Sequence, residues 1–308
     1  MSFLIDKYKE AFIHRYDKDG IIPYLSHLDF LPLEMNKNSF VSSRGVKISY
    51  FIYHYQNFKK DKVVLFCPGI GPGHTAYMRE INSLCLKGYK VISLDYMGTG
   101  ESEGDSLYSL NEPTRDVNDL LNHLKLKEEV ILMGHSLGGY TSLNIINIRD
   151  DIKKAVIISG FLSIKLLLKG YIKLNPLVKK IARYEESLDD LYGKIDNLAY
   201  LKSTTDKIMY IHSKDDNNVL FKYGLGLLEN INNPNITKVI VDNKLHNPTY
   251  TVEAIKYMND AFASYTNLVK KKKLISLEEK KEYMSRFSAL KMTEQDQEII
   301  DMITNFIS

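Results

Sequence analysis

The sequence predicts an α/β fold, a mostly parallel central sheet covered by helices on both faces. Continuous Val/Ile/Leu runs alternate with helical segments through the middle of the chain, which is typical of buried parallel strands joined by crossover helices. The predicted strands are Lys62–Cys67, Lys90–Asp95, Glu129–Met133, Ala155–Ser159, Lys207–His212 and Lys238–Val241. The predicted helices are Tyr77–Lys87, Pro113–Lys125, Leu137–Ile148, Leu220–Asn230 and Val252–Val269.

Composition narrows the class of protein. The 308 residues are 44% hydrophobic and 26% charged, which is ordinary for a soluble protein with a sizeable core. The net charge of +3 is small and dispersed, so we expect no nucleic-acid partner. No run approaches the ~18 apolar residues of a membrane span, so we expect no stable membrane insertion. Cys67 and Cys85 form no disulfide framework and no signal-peptide pattern is present, which together predict a cytoplasmic protein.

Further segments surround the predicted core. Phe40–Ser43 and Val46–Tyr53 flank Arg44-Gly45 and predict an antiparallel hairpin. An insertion before the fifth predicted strand is long and apolar, so we expect a helical cap over the site. We divide the chain into an N-terminal extension (1–39), a first core part (40–160), the helical cap insertion (161–202), a second core part (203–270) and a C-terminal helical extension (271–308).

The C-terminal extension predicts amphipathic helices. Ser276 followed by Glu279 forms a capping box at the start of one helix. A second helix begins near Thr293, and its apolar stripe consists of Ile299, Ile300, Ile303 and Phe306. Such a stripe packs on the body of the protein or on a second copy, so a homodimer is one of two open interpretations.

The segment 130–140 reads Val-Ile-Leu-Met-Gly-His-Ser-Leu-Gly-Gly-Tyr and carries the most informative motif. An apolar, strand-like run ends in Gly134-His135-Ser136-Leu137-Gly138 and passes directly into a helical pattern, the context that a nucleophile elbow requires. Ser136 is therefore the candidate nucleophile. We expect His135 to pack or hydrogen-bond locally.

A second match to the same pattern lies at 100–104. Ser102 follows no strand directly and precedes no apolar helix, and its neighbours Glu101 and Glu103 would oppose a developing negative charge. We therefore predict that Ser102 is a loop serine.

A serine nucleophile needs a base, and the base needs a third group that fixes its tautomer. His246 is the one histidine beyond the strand Lys207–His212, which makes it the predicted base. Asp215 and Asp216 both follow that strand, and either could be the acid.

Several motifs in order resemble the α/β-hydrolase superfamily, particularly its capped serine esterase and lipase-like members. The motifs are Gly-His-Ser-Leu-Gly-Gly at the elbow, Asp-Tyr-Met-Gly-Thr-Gly-Glu-Ser at 95–102 and Leu-His-Asn at 245–247. The resemblance implies the α/β-hydrolase fold and covers roughly residues 40–269. Alignment of its acid motif on Ser213 and Val219 selects Asp216 as the triad acid, beside Asp215.

The loop at 66–74, Phe-Cys-Pro-Gly-Ile-Gly-Pro-Gly-His, stands where the family places part of its oxyanion hole. The predicted oxyanion donors are the backbone N–H groups of Leu137 and Ile70. Predicted substrate contacts are Gly71, His74, Phe161 and Leu162, although an exposed loop position is the simpler expectation for His74.

These residues predict a serine hydrolase that cleaves carboxylic esters of apolar acyl groups through an acyl-enzyme. A thioesterase or acyltransferase, a peptidase, a carbon–carbon bond hydrolase and a non-catalytic ligand-binding protein stay open as alternatives. The loop Gly-Ile-Gly-Pro-Gly resembles that of the carbon–carbon bond hydrolases. We expect a small-molecule ester as the partner, no cofactor and no metal, since no metal-ligand spacing accompanies Glu101, Glu103 and Asp105. Lys165, Lys169 and Lys173 are expected on the outer face of the cap.

Overall fold

The computed structural model describes residues 2–17, 20–59 and 61–308. One sheet of eight strands forms the centre of the molecule. The strands are β1 (Glu34–Val41), β2 (Lys47–His54), β3 (Lys62–Cys67), β4 (Lys90–Leu94), β5 (Glu129–His135), β6 (Lys154–Ile158), β7 (Lys207–Ser213) and β8 (Ile236–Val241). Their order in the sheet is β1-β2-β4-β3-β5-β6-β7-β8. The six predicted parallel strands and the predicted hairpin are confirmed.

The direction of the strands determines which strand ends lie at the same edge of the sheet. β1 pairs with β2, and β2 with β4, in antiparallel fashion, whereas all neighbours from β4 to β8 run parallel. In the register between β5 and β6, Gly134 lies opposite Ile157 and His135 opposite Ile158. The carboxyl ends of β5 and β7 therefore open onto the same edge of the sheet, where ligands bind in open α/β sheets.

Helices cover both faces. They are α1 (Ser2–Phe12), α2 (Met78–Leu86), α3 (Glu112–Leu124), α4 (Leu137–Ile148), α5 (Ile164–Tyr171), α6 (Asn175–Leu188), α7 (Asn197–Ser203), α8 (Val252–Lys270), α9 (Leu277–Met284), α10 (Ala289–Met292) and α11 (Gln297–Ile307). On β3, Val63 and Leu65 belong to one buried cluster, whereas Val64 and Phe66 belong to another. Burial on both faces explains the continuous apolar strand sequences.

The C-terminal stripe packs on the body of the molecule. Ile299, Ile300 and Ile303 of α11 are at most 6% exposed and join the cluster that also contains Ile81 of α2. Ser276 caps α9 together with Glu279, as predicted. The side of α11 that a second copy would need is therefore occupied within the chain itself.

The predicted helix Leu220–Asn230 is wrong. Two short 3₁₀ turns, Phe221–Tyr223 and Leu225–Leu228, stand in its place. Gly224 separates them, and a Cβ at this position would lie 2.6 Å from Cε1 of His212. Close contact with the buried imidazole, together with the low helix propensity of glycine, interrupts the helix.

Three helices, α5 to α7, occupy the insertion between β6 and β7. Pro176 stands in the first turn of α6, where its missing N–H costs no helical hydrogen bond. α1 packs beside them, since the Tyr8 hydroxyl donates a 2.8 Å hydrogen bond to Glu185 of α6. Within the described ranges, no helix has the length and apolar character that a membrane span requires.

Candidate active site

Ser136 forms the turn between β5 and α4. Its backbone lies at φ 56° and ψ −116°, a left-handed conformation that costs a non-glycine residue about 1–3 kcal/mol. A Cβ at Gly134 would approach the carbonyl oxygen of Gly138 to 2.1 Å, and one at Gly138 would approach that of Cys67 to 1.9 Å. The spacing of the glycines therefore follows from the close approach of strand, turn and helix.

His246 contacts Asp216. Its Nδ1 lies 2.9 Å from Oδ2 and 3.1 Å from Oδ1 of the carboxylate. The backbone N–H groups of Asn218 and Val219 donate 2.9 Å hydrogen bonds to Oδ1, and Nε2 of His212 lies 3.1 Å from Oδ2. Burial favours the neutral acid, but the hydrogen bonds from His212 and His246 outweigh it and hold the pKa of Asp216 below its usual value. Asp216 is therefore a fixed anion beside His246.

Asp215 lies in different surroundings. Its side chain is exposed to solvent and accepts a hydrogen bond from the Ser213 hydroxyl. Asp216, by contrast, is 3% exposed. Of these two neighbouring carboxylates, only Asp216 is oriented toward His246.

Ser136 and His246 line one cavity of about 280 Å³. Among the described residues, its walls contain no lysine, arginine, aspartate or glutamate. The lining residues are Phe12, Ile70, Tyr77, Leu110, His135, Ser136, Leu137, Phe161, Leu167, Tyr171, Asn218, Val219 and His246. No hydrogen bond joins the Ser136 hydroxyl to a described residue; such contacts often tighten only when substrate binds.

His135 connects the loops on either side of Ser136. Its Nε2 lies 2.8 Å from the backbone oxygen of His246, which can only accept, so Nε2 carries the proton. Its Nδ1 then accepts from the Tyr77 hydroxyl at 2.9 Å, and that hydroxyl accepts from the N–H of Gly69 at 2.9 Å. Burial, followed by the nearby charge of His246, lowers the pKa of His135 to about 3, so the ring is neutral.

Both predicted oxyanion donors border the cavity. The N–H of Leu137 is the first of α4, and the first N–H groups of a helix have no partner within it. Ile70 is 38% exposed on the loop after β3. Neither amide donates a hydrogen bond to another residue that the structure describes. Both amides are therefore free to bind an anionic oxygen.

The predicted substrate contacts do not all line the same cavity. Phe161 lines the Ser136 cavity, stacked on Tyr140 with ring centroids 4.5 Å apart. Leu162 instead lines a second cavity of about 350 Å³ within the cap. Gly71 is not among the described residues that line either cavity.

His74 is directed away from the cavity. It is 4% exposed, so the expectation of an exposed loop histidine is wrong. The carboxylate of Asp95 accepts hydrogen bonds from its backbone N–H at 2.8 Å and from its ring Nδ1 at 2.7 Å. The ring also stacks on Phe51, with centroids 3.6 Å apart. The structure therefore does not bring His74 to Ser136.

Sequence reasoning missed part of the cavity wall. The missed residues are Phe12, Tyr77, Leu110, Asn218 and Val219. Leu167 and Tyr171 also line the cavity, and both belong to the apolar insertion that was expected to cover the site. Phe12 had no signal in the sequence, because its position depends on contacts with distant parts of the chain. Lys165 and Lys173 are exposed, and Lys169 is half-buried near the ring of Tyr223.

The described residues contain no group of three or more His, Cys, Asp or Glu side chains that could hold a metal ion. Cys67 and Cys85 are both buried free thiols, and burial raises the pKa of each to about 12. Neither thiol is therefore a nucleophile near neutral pH.

Comparison with known proteins shows to which family the chain belongs. The family model for serine aminopeptidase, S33 matches residues 59–224, more than half of the chain. An epoxide hydrolase of Caballeronia sordidicola is 35% identical over 96 residues, 30% of this chain and 29% of that protein. A 2-hydroxy-6-oxo-6-(2'-aminophenyl)hexa-2,4-dienoic acid hydrolase of Metapseudomonas resinovorans is 24% identical over 142 residues, 45% of this chain and 47% of that protein. The chain thus spans less than half the length of either relative.

A structural neighbour covers nearly the whole molecule. An esterase of Pyrococcus furiosus matches 89% of this chain and 98% of its own, with a TM-score of 0.58 and 18% identity. At that identity the likeness shows the fold. The family match, which covers more than half of the chain, shows that the chain belongs to the serine aminopeptidase, S33 family of the α/β-hydrolase superfamily.

Proposed function

We propose that the protein is a serine hydrolase that cleaves carboxylic esters of apolar acyl groups. One observation carries the proposal: Ser136, on a strained elbow, and His246, oriented by Asp216, line a single cavity with otherwise mainly apolar walls. A serine needs such a base for nucleophilic attack, and the apolar walls suit an acyl chain.

Acylation would begin with attack of Ser136 Oγ on the ester carbonyl while His246 Nε2 takes the hydroxyl proton. Asp216 keeps the other proton on Nδ1 and stabilises the imidazolium. The N–H groups of Leu137 and Ile70 bind the oxyanion of the tetrahedral intermediate, where loss of one donor typically costs about 3–4 kcal/mol. Collapse expels the alcohol, which takes its proton from His246.

Deacylation repeats the sequence with water. His246 removes a proton from water, the resulting hydroxide attacks the acyl carbonyl, and the second tetrahedral intermediate releases the carboxylic acid. The proton on His246 returns to Ser136 Oγ. Every proton transfer uses the same nitrogen of His246, so its tautomer must be maintained throughout.

The charge of the cavity wall favours esters over two of the alternatives. An aminopeptidase substrate carries an ammonium group, and a dienoic acid, as in the Metapseudomonas relative's name, carries a carboxylate at neutral pH. A buried charge requires a partner of opposite sign. The described residues that line the cavity include no lysine, arginine, aspartate or glutamate that could serve as that partner. Neutral esters and thioesters need no such partner.

A substrate panel tests the proposal. We would measure kcat/KM for neutral acyl esters, carboxylate-bearing esters of equal length, the matching thioesters, aminoacyl amides and a dienoic acid. The proposal predicts the highest values for neutral esters, rising from acetyl to medium acyl chains by up to about fourfold per added methylene. Preference for the charged esters or the dienoic acid would contradict the apolar-ester assignment. Preference for the amides would favour a peptidase.

A further inference from the structure

α1 supplies part of the wall of the Ser136 cavity. Phe12, its last residue, lines that cavity, and its ring meets Tyr171 edge-on with centroids 5.6 Å apart. Tyr171, the last residue of α5, lines the same cavity and is 50% exposed. These two rings therefore stand between part of the cavity and the solvent.

Buried hydrogen bonds hold α1 on the side of the cap. The hydroxyl of Tyr8, a residue that is 4% exposed, donates to Oε1 of the fully buried Glu185 at 2.8 Å. Oε2 of Glu185 accepts from the N–H of Leu110 at 2.9 Å, and Leu110 itself lines the cavity. Movement of α1 away from the cap would leave a buried carboxyl without one of its partners.

The segment after α1 is held by the core. The guanidinium of Arg15 donates to three backbone carbonyl oxygens in the loop 100–104, at 2.7 to 3.2 Å. Tyr16 forms a parallel bridge with Thr99, and its hydroxyl donates to the backbone oxygen of Phe12 at 3.1 Å. Phe12 thus lies between two anchors, one on the cap and one on the core.

We propose that Phe12, together with Tyr171, is a specificity-determining residue that limits the length of the acyl chain the cavity accepts. The proposal rests on the proposed esterase activity. Because the backbone is held on both sides of Phe12, α1 cannot carry the ring away from the cavity without breaking the buried hydrogen bond between Tyr8 and Glu185. An acyl chain that reaches Phe12 must therefore stop or bend there.

The test uses the full chain and 4-nitrophenyl esters of the acetyl, butanoyl, octanoyl and dodecanoyl series. In Phe12→Ala, each methylene newly accommodated should raise kcat/KM about fourfold, so the ratio of the dodecanoyl to the butanoyl ester should rise about tenfold or more. The acetyl ester, which has the shortest acyl chain of the series, should change least. Phe3→Ala is the matched control on the same helix, because Phe3 is 74% exposed.

A second variant changes the residue that the cap contributes to the same part of the cavity wall. Tyr171→Ala leaves α1 intact and should shift the chain-length profile in the same direction. An unchanged profile in both variants, or an equal shift in Phe3→Ala, would overturn the role of Phe12. If the wild-type protein hydrolyses no ester of any length, the proposed function itself fails, and this inference fails with it.

Discussion

Ser136 and Ser102 stand in the same pattern, Gly-x-Ser-x-Gly, yet their hydroxyl groups have opposite surroundings. The hydroxyl of Ser102 donates to the backbone oxygen of Asp95 at 2.6 Å and accepts from the N–H of Ser49 at 2.8 Å. Ser102 is 2% exposed. Ser136 is 9% exposed, lines a cavity and makes no hydroxyl hydrogen bond to a described residue. The Ser102 hydroxyl therefore both donates and accepts a hydrogen bond within the fold, whereas the Ser136 hydroxyl bonds no described residue.

The glycines of the two motifs also serve different purposes. Gly134 and Gly138 let a strand, a turn and a helix approach one another closely. Gly100, at φ +48°, instead leaves room for the carboxylate of Asp95, whose Oδ2 would lie 2.3 Å from an added Cβ. The comparison shows that glycines occur at this spacing where other atoms lie too close to the backbone for a Cβ. Whether a reactive hydroxyl results depends on the elements that flank the serine.

The largest expected effect separates these two serines. Ser136→Ala should abolish covalent labelling by a fluorophosphonate and lower kcat/KM for esters about 10⁴-fold or more, because Ser136 is the one serine among the described residues that line the cavity with His246. Ser102→Ala should leave labelling intact, although loss of its buried hydrogen bonds costs about 1–3 kcal/mol of stability. In-gel fluorescence and mass spectrometry of the labelled peptide provide the measurement. Retained labelling in Ser136→Ala would break the comparison.

The second effect separates Asp216 from Asp215. Asp216→Asn should lower kcat by about 10⁴, because an amide can donate to Nδ1 of His246 and stabilise the wrong tautomer. Asp215→Asn should change kcat less than about threefold, since that side chain is exposed. Steady-state kinetics on one ester suffices, with circular dichroism to verify folding. The opposite ranking would identify Asp215 as the acid.

A smaller effect on kcat is expected when the hydrogen bonds that link Gly69, Tyr77 and His135 are broken. Tyr77→Phe removes the hydroxyl that joins Gly69 to His135, and we expect kcat to fall about tenfold, or ~1.4 kcal/mol, as the loop carrying Ile70 loosens. KM should change little. Tyr200→Phe is the control, since its hydroxyl bonds Asp206 at 2.7 Å and the described cavity lining does not include it. Equal loss of kcat in both variants would show a general effect of stability rather than positioning.

The smallest effect concerns pH and the neighbours Glu185 and Glu186. Burial raises the pKa of Glu185 to about 7, so the folded protein holds a proton that the unfolded chain releases at a lower pH. This contribution to stability is present at low pH and is lost as pH rises through about 7, with a slope of at most about 1.4 kcal/mol per pH unit. Glu185→Gln should make the loss of unfolding free energy between pH 5 and 8 less steep, by up to that amount, in urea unfolding. Glu186→Gln, at an exposed position, should retain the full slope.

Features set by local pattern could be predicted from the sequence. The parallel strands follow from apolar runs that are buried on both faces, and the elbow follows from the glycines around Ser136. The pairing of His246 with Asp216 was expected from the resemblance to the acid motif of the α/β-hydrolases, and in the structure their side chains are in contact. Such features depend on residues that are close in sequence or at strand ends, where topology constrains their positions.

Features that depend on distant partners could not be predicted. His74 looked like an exposed loop residue because its partner Asp95 is 21 residues away. Leu162 follows Phe161 directly, but the turn into α5 directs the two side chains into different cavities. The break at Gly224 depends on contact with His212. None of these contacts leaves a periodic signal in the sequence.

The anchoring of α1 has a consequence for the order in which the molecule is completed during synthesis. Tyr8 and Glu185 are 177 residues apart, so α1 leaves the ribosome long before its partner on the cap has been made. The loop between them is long, and closing it is slow compared with forming either helix. A nascent chain that ends before Tyr171 already contains Ser136 but not the aromatic partner of Phe12. Ser136 is thus synthesised well before the cavity that it lines is complete.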